Sequence, residues 1–208
     1  MINRMANACF SGLTAFALAL GATSAPAFAA SDSFITLGTE GGPVSNPLRS
    51  QPANVLLDDG NAYLIDVGDG AVQRLAAAQI LLGQVRAVFV SHLHFDHTAG
   101  LAALLGLRYQ TDVPGRLTIY GPPGTKEMVD GLIASMQPES RSGYGLPGQK
   151  TKAPGDLIQV VEIRDGADIH LDTVRLRAVR NTHYSFTAGS PEAEEFQSLS
   201  FRFDLTDR

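Results

Sequence analysis

Apolar residues along the chain fall into short runs separated by turn-forming residues, and the runs follow two periodicities. Residues 33–37, 55–57 and 62–66 are strand-length segments, and Asp58-Asp59-Gly60-Asn61 between the last two is a hairpin signal. Val72, Leu75, Ala76 and Gln79-Ile80 recur at helical spacing, which predicts a helix over 71–82 ending at Gly83. Residues 85–90 form a β-branched apolar run, the pattern of a strand buried on both faces. Further along, the spacing predicts helices over 97–107 and 125–136, and strands over 117–120, 157–163, 174–179 and 198–205. Two Gly/Pro-rich stretches, 38–52 and 137–156, are expected as loops. Strands interleaved with helices predict a layered α/β domain, and periodicity alone does not choose among such folds.

The apolar stretch at 10–21 has a different setting. Arg4 precedes it and Ala25-Pro26-Ala27-Phe28-Ala29 follows, which is the layout of a secretory signal peptide cut after Ala29. Its length falls well short of the ~20 residues that span a bilayer. The expected organisation is therefore a signal peptide, 1–29, and one domain, 30–208, secreted or periplasmic and off the membrane after cleavage. Cys9 is the only cysteine and lies before the apolar stretch, which excludes a disulfide scaffold and a lipoprotein attachment site. Cleavage leaves 15 basic against 21 acidic residues, a balance opposed to general nucleic-acid binding. The 44% hydrophobic content supplies a substantial core and argues against disorder.

Three of the five histidines fall within six residues, His92-Leu93-His94-Phe95-Asp96-His97, directly after the apolar strand and before a helix. Side chains two apart at a strand end project the same way, so His92 and His94 can converge on one ion. Asp96 and His97 lie where the chain turns into the helix and can reach a second position beside the first. Imidazole and carboxylate are ligands that zinc and similar metals accept, and the mature chain has no cysteine to offer instead. The competing reading, a polar loop cluster or a surface histidine tract, is disfavoured by the spacing at a strand-to-helix junction. His183, in Asn181-Thr182-His183-Tyr184-Ser185, follows another strand and is the next candidate; three nitrogens would leave a place for water. Asp66 closes the strand before Val67-Gly68, placed either to fix the tautomer of a ligand histidine or simply to make a turn. His170 has no motif around it and is expected to be an ordinary exposed residue.

These residues resemble the metallo-β-lactamase superfamily, whose signature is H-x-H-x-D-H after a buried strand. Asp66 with Gly68 resembles its upstream Asp-x-Gly element. The segment from Phe34 through Thr36-Leu37-Gly38-Thr39-Glu40-Gly41-Gly42-Pro43, with Arg49 and Asn54 following, is most similar to the ribonuclease Z and arylsulfatase-like branch. The resemblance runs from about Ser33 to the last residue and implies an αββα sandwich with metals at one edge, between the two sheets. It implies that His92, His94 and His183 hold one zinc and that Asp96 and His97 contribute to a second. It also implies a metal-bound hydroxide that attacks phosphorus, sulfur or carbonyl carbon, with Asp96 handling the proton. His94 stands where flavodiiron-like members carry Glu, so redox iron chemistry is not favoured.

The superfamily also supplies a bridging Asp in a Gly-Asp-Thr-like turn and a final His nearer the C-terminus. Neither follows Phe201-Arg202-Phe203-Asp204-Leu205, and Asp204 and Asp207 lie on the wrong side of the expected turn. The expectation is a sandwich incomplete at the C-terminus, lacking roughly a third of a usual domain, with its last strand an unpaired edge. One zinc site would be complete here, and two ions are expected in a full-length parent. The leading function is an exported zinc-dependent hydrolase of phosphodiester, sulfate ester or related small esters, with transfer-RNA processing opposed by the signal peptide and the acidic balance. The alternatives are a β-lactam or lactone hydrolase, and a non-catalytic metal- or partner-binding fragment. Residues 137–156 are either a mobile arm carrying Arg141, Tyr144 and Lys150 over the site or a solvated connector.

Overall fold

The computed structural model describes residues 32–148 and 152–205. The proposed signal segment with Cys9, and also Lys150, Thr206, Asp207 and Arg208, lie outside the described residues.

The first three apolar segments pair as an antiparallel meander of β1 (Ser33–Gly38), β2 (Ala53–Asp58) and β3 (Asn61–Val67). Asp59 and Gly60 turn the hairpin with φ of 46° and 76°, the paired positive values of a type I′ turn. The sheet then continues in parallel through β4 (Val85–Phe89), β5 (Leu117–Gly121) and β6 (Ile158–Glu162), its six strands lying in sequence order. Parallel neighbours require crossovers. These are made by α1 (Ala71–Ala77), by α2 (Phe95–Thr98) with α3 (Leu101–Gln110), and by α4 (Thr125–Ser135) with the short α5 (Gln137–Ser142). A second, antiparallel sheet comprises β7 (Asp168–Leu171), β8 (Val174–Arg180) and β9 (Leu199–Leu205). The short α6 (Pro191–Glu195) lies between its last two strands in the chain.

The large sheet is sandwiched. Leu75, Leu104 and Val129 of the helices pack with Val55, Leu64, Val88 and Ile119 on one face. On the other, Leu56, Tyr63 and Phe89 meet Val174, Leu176 and Leu199 of the small sheet. Successive residues of β4 serve opposite layers: Val88 faces the helices and Phe89 the small sheet, both fully buried, as the apolar run predicts. Phe89 stacks on Tyr120 at 5.1 Å and meets Phe203 edge-on at 5.4 Å, which locks the two sheets together. The outer face of the small sheet carries ion pairs, Arg175 with Asp168 and Arg177 with Asp204. This is the helix–sheet–sheet layering of a metallo-β-lactamase-type α/β fold.

Several expected boundaries move. Helix α1 stops at Ala77, five residues before the expected end, because Gln79 takes φ 61° and the chain closes with Gln79 N–H on the Ala76 carbonyl and Ile80 N–H on the Leu75 carbonyl. That closure, in which C″ reaches back to C3, usually has glycine at the left-handed position. The expected helix over 97–107 is two pieces. Gly100 N–H leaves the helical ladder for the Val67 carbonyl at 2.9 Å, and a Cβ on Gly100 would lie 2.3 Å from the Gly68 oxygen. Glycine at 100 lets the loop after β3 press against the start of α3, and glycine at 68, whose Cβ would lie 2.3 Å from the Asp96 oxygen, lets the same loop press on α2. Residues 137–156, expected as loop, contain α5 and a 3-10 turn, Pro154–Leu157. Strand β7 and helix α6 were not legible in the apolar pattern; α6 has only five residues and is held by the Ser190 hydroxyl, which accepts Ala193 N–H at 3.2 Å.

Candidate metal centre

The histidine motif occupies the end of a buried strand. Beyond β4 the chain emerges between the sheets, where Leu199 N–H bonds the Ser91 carbonyl at 2.9 Å and ties the motif to the start of β9. His92 points inward, 4% exposed, while His94 and His183 stand at the mouth. His183 comes from the loop after β8, where Asn181 Oδ1 accepts its backbone N–H at 3.0 Å.

Among the described residues, His92, His94 and His183 form one compact group whose candidate ligand nitrogens all lie within 4.8 Å of one another. His183 Nε2 and His94 Nδ1 are 3.2 Å apart. Two ligand nitrogens on a tetrahedral zinc, each ~2.0–2.1 Å from the ion, would be separated by about 3.3 Å. His92 Nε2 is buried and meets no hydrogen-bond partner among the described residues. A buried polar atom without a partner is costly, and a cation in the midst of three imidazole nitrogens satisfies it. The residues therefore fit a divalent metal.

Asp66 organises this cluster through two histidines. Its carboxylate accepts Ser91 N–H at 2.7 Å and Ser91 Oγ–H at 2.8 Å, and His97 Nδ1–H at 2.8 Å. Because the Ser91 proton goes to Asp66, the Ser91 oxygen is left to accept from His92 Nδ1 at 3.0 Å. That bond puts the proton of His92 on Nδ1 and leaves the Nε2 lone pair facing the cluster. By the same logic His97 is protonated at Nδ1 and presents Nε2, which lies 3.6 Å from Asp96 Oδ2. Asp66 thus fixes His97 directly and His92 through Ser91. It holds φ 58° at the strand end while buried, a conformation that aspartate tolerates better than most residues.

The electrostatics agree with a neutral ligand at position 92. Burial, reinforced by the neighbouring imidazoles of His97, His183 and His94, pushes its pKa down to about 3. His97 moves the other way: burial opposes its charging, but the hydrogen bond and charge of Asp66, with Asp96 adding, outweigh it and raise the pKa. Asp96 is 6% exposed at the start of α2, and the His97 ring lies 4.0 Å from that of His92, so this pair sits beside the triad.

The remaining expectations sort plainly. His170 is exposed on β7, 3.5 Å from Asp168, as an ordinary surface residue. Asp204 lies on β9 and takes Arg177 and Arg202 as partners, away from any ligand role. Within 137–156, the described residues 137–148 and 152–156 fit the connector reading and not that of an arm over the site. The Tyr109 hydroxyl, near the end of α3, donates to the Lys152 carbonyl and accepts from Ser140 Oγ–H, each at 2.9 Å, and Tyr144 bonds the Gln110 carbonyl. Helix α3 starts at the motif and runs ten residues, about 15 Å, away from it, so Arg141 and Tyr144 belong to the opposite end of the sheet.

Two residues of the site were missed in the sequence. Ser91 immediately precedes His92, and its value as a relay shows only once β3 and β4 are paired. Tyr184 follows His183; its ring lies 5.4 Å from that of His94, and its hydroxyl bonds the Leu93 backbone. Ser91→Ala is expected to weaken zinc binding roughly 10- to 100-fold while leaving the fold intact. Competition with a chromogenic chelator measures this, and Ser91→Thr, which keeps a hydroxyl, should restore most of the affinity.

Layering and site together define a protein of the metallo-β-lactamase fold, an architecture of metal-dependent hydrolases. Within it, the chain belongs to the family described as Anti-Pycsar protein Apyc1, whose family model matches residues 34–206. It is also similar to the ribonuclease Z of Mycobacterium marinum, with 32% identity over 152 residues, 72% of this chain and 54% of that relative. The chain therefore spans about half the length of the curated relatives it matches. Among solved structures, the short form of human tRNase Z superposes with a TM-score of 0.59 at 20% identity, over 83% of this chain and 64% of that one. A diphosphatase from the PhnP family gives 0.55 at 17% identity, over 82% and 61%. Both bear on the fold, and the expected resemblance to the superfamily and its ribonuclease Z branch holds.

Proposed function

We propose that the protein hydrolyses phosphodiester bonds in small molecules, cyclic nucleotides foremost, using a divalent metal held by His92, His94 and His183. The observation that carries the reading is the convergence of three imidazoles, with the buried Nε2 of His92 left without a hydrogen-bond partner among the described residues. The choice of phosphorus over sulfur or carbonyl carbon draws support from membership of a cyclic nucleotide phosphodiesterase family. The relatives named ribonuclease Z point the same way. Zinc suits the all-nitrogen donor set, and when bound it supplies Lewis-acid polarisation and water of lowered pKa. Around it the chain's residues have separate tasks. Asp66 and Ser91 hold His92 in its ligating tautomer. Asp96 Oδ2, beside His97 Nε2, is placed to hold a proton at the site, with His97 offering a second nitrogen. A small substrate suits the net charge of −5, which disfavours a polyanion such as transfer RNA. The leader-type layout of residues 1–29 supports an exported enzyme.

The test is a panel of a cyclic nucleotide, a bis-aryl phosphate, an aryl sulfate, a lactone and a β-lactam, offered to the zinc-loaded protein beside His94→Ala. Hydrolysis of the phosphodiesters, lost in the variant, is expected. Turnover that survives His94→Ala, or that is confined to the lactone or β-lactam, would overturn the reading.

A further inference from the structure

The strands that carry residues to the metal centre start near a cavity that the metal chemistry does not use. Tyr63 of β3, Arg86 and Ala87 of β4, and His170, Leu171 and Asp172 at the turn from β7 into β8 wall it. Strand β8 begins two residues after Asp172 and ends three before His183, and its seven residues cover about 20 Å between the two sites. The cavity has a volume of about 250 Å³. That is the liquid volume of about eight water molecules, less than the ~300 Å³ at which pockets begin to enclose a drug-sized ligand, so its occupant is small. Tyr63 forms the inner wall. It is 1% exposed and packed among Leu56 and Phe89, yet its hydroxyl takes no hydrogen bond from any described residue. A polar group this deep is normally paired.

The charges on the rim select what kind of molecule. Arg86 and Asp172 share the cavity, but neither forms an ion pair with the other or with any other described residue. Arg86 donates through Nε to the neutral Asn61 Oδ1 at 2.8 Å, which orients the guanidinium and leaves its two Nη groups open. Asp172 is held at φ 41° in the turn between β7 and β8. Both are felt at the Tyr63 hydroxyl: burial raises its pKa, the charges of Asp172 and Asp58 add to the rise, and that of Arg86 opposes it. The other titratable neighbours are engaged elsewhere, His170 beside Asp168 at 3.5 Å and Asp58 accepting the Thr173 hydroxyl. A lone anion here would face the carboxylates and a lone cation the guanidinium. A molecule carrying both charges complements both walls.

We propose that this cavity binds a small zwitterion, an α-amino acid, with its carboxylate on Arg86, its ammonium group on Asp172 and the Tyr63 hydroxyl between them. A phenol hydroxyl donates to a carboxylate or accepts from an ammonium group, so either end of the ligand satisfies it. Ala87 and Leu171 offer apolar contact to a short side chain. The site is separate from the metal centre, and its assignment does not depend on which bond is hydrolysed there.

Amide NMR on the zinc-loaded full chain tests it, with L-alanine as the probe and propionate and ethylamine as its two halves. Alanine should shift the amides of Tyr63, Ala87 and Leu171 and bind roughly 10-fold or more tightly than either half. Arg86→Gln and Asp172→Asn should each weaken alanine binding roughly 10- to 150-fold, the range for loss of a hydrogen bond to a charged group. Both residues are exposed, and asparagine accepts the left-handed backbone at 172, so the variants keep the fold. Propionate or ethylamine binding as tightly as alanine would mark a plain anion or cation site and overturn the assignment. Alanine binding that survives both substitutions, or that is absent from the unaltered protein, overturns it too. So do shifts confined to His92, His94 and His183, which would mean that alanine only chelates the zinc.

Discussion

Substituting alanine for Asp66 should destabilise the protein by about 3–5 kcal/mol and lower its metal affinity at the same time. Three donors converge on this one buried carboxylate: Ser91 N–H, Ser91 Oγ–H and His97 Nδ1–H. Alanine leaves all three without an acceptor in a place that water reaches poorly, and each such loss costs about 1–3 kcal/mol. It also puts a Cβ-only residue at φ 58°, where aspartate was better tolerated. Asp66→Asn separates the effects, because asparagine accepts the left-handed backbone and retains one acceptor oxygen. Its stability should fall between wild type and alanine, while zinc affinity still drops roughly 10- to 100-fold through loss of tautomer control. Chemical denaturation with and without chelator measures both quantities.

The same substitution carries a pH signature in the metal-free protein. His97 has its folded pKa raised above the ordinary 6.5, with Asp66 a principal cause. A raised folded pKa means that the native state binds more protons than the unfolded one around neutrality. Its stabilising contribution is complete below the unfolded value of 6.5 and is lost as pH rises through the folded pKa. Asp66→Asn should flatten that limb of the stability profile. An Asp66→Asn variant with an unchanged profile would show that Asp66 does not hold the His97 proton.

Replacing His183 by alanine should abolish hydrolysis and strip zinc from the protein with little change in fold. Metal binding of about 10–16 kcal/mol in four-ligand zinc sites averages roughly 3 kcal/mol per ligand, so one lost imidazole lowers affinity by about two orders of magnitude. The fold survives because His183 is an exposed loop residue whose removal takes nothing from the core around Leu176 and Leu199. His170→Ala makes the matched control: the same side chain removed from an exposed position on β7, with zinc content and activity expected to stay at wild-type levels. Metal analysis after dialysis reads the result. A His183→Ala protein that retains full zinc would remove His183 from the ligand set.

The parts of the site that lie close together in the chain were legible in the sequence. The β-branched run at 85–90 does form a strand buried on both faces, and His92 and His94, two residues apart, do leave its end together. The helix ends were not legible, for identifiable reasons. Helix α1 closes on a left-handed Gln79 where glycine would have been the signal, and the break before α3 depends on Gly100 meeting Gly68 from another loop. The status of 137–156 likewise turned on Tyr109 and Tyr144, whose hydroxyls anchor it to partners far along the chain.

Local spacing by itself determined the α/β class, the strand-to-helix setting of the motif and the candidate ligands inside it, because periodicity and ligand chemistry are properties of neighbouring residues. Only the tertiary structure decided that His183 meets His94 across 89 positions and that Asp66 works through Ser91 as well as on His97. Those facts depend on how β3, β4 and β8 are brought to one edge of two packed sheets, and that juxtaposition comes from burying Phe89, Leu176 and their neighbours, which carry no trace of the site's chemistry.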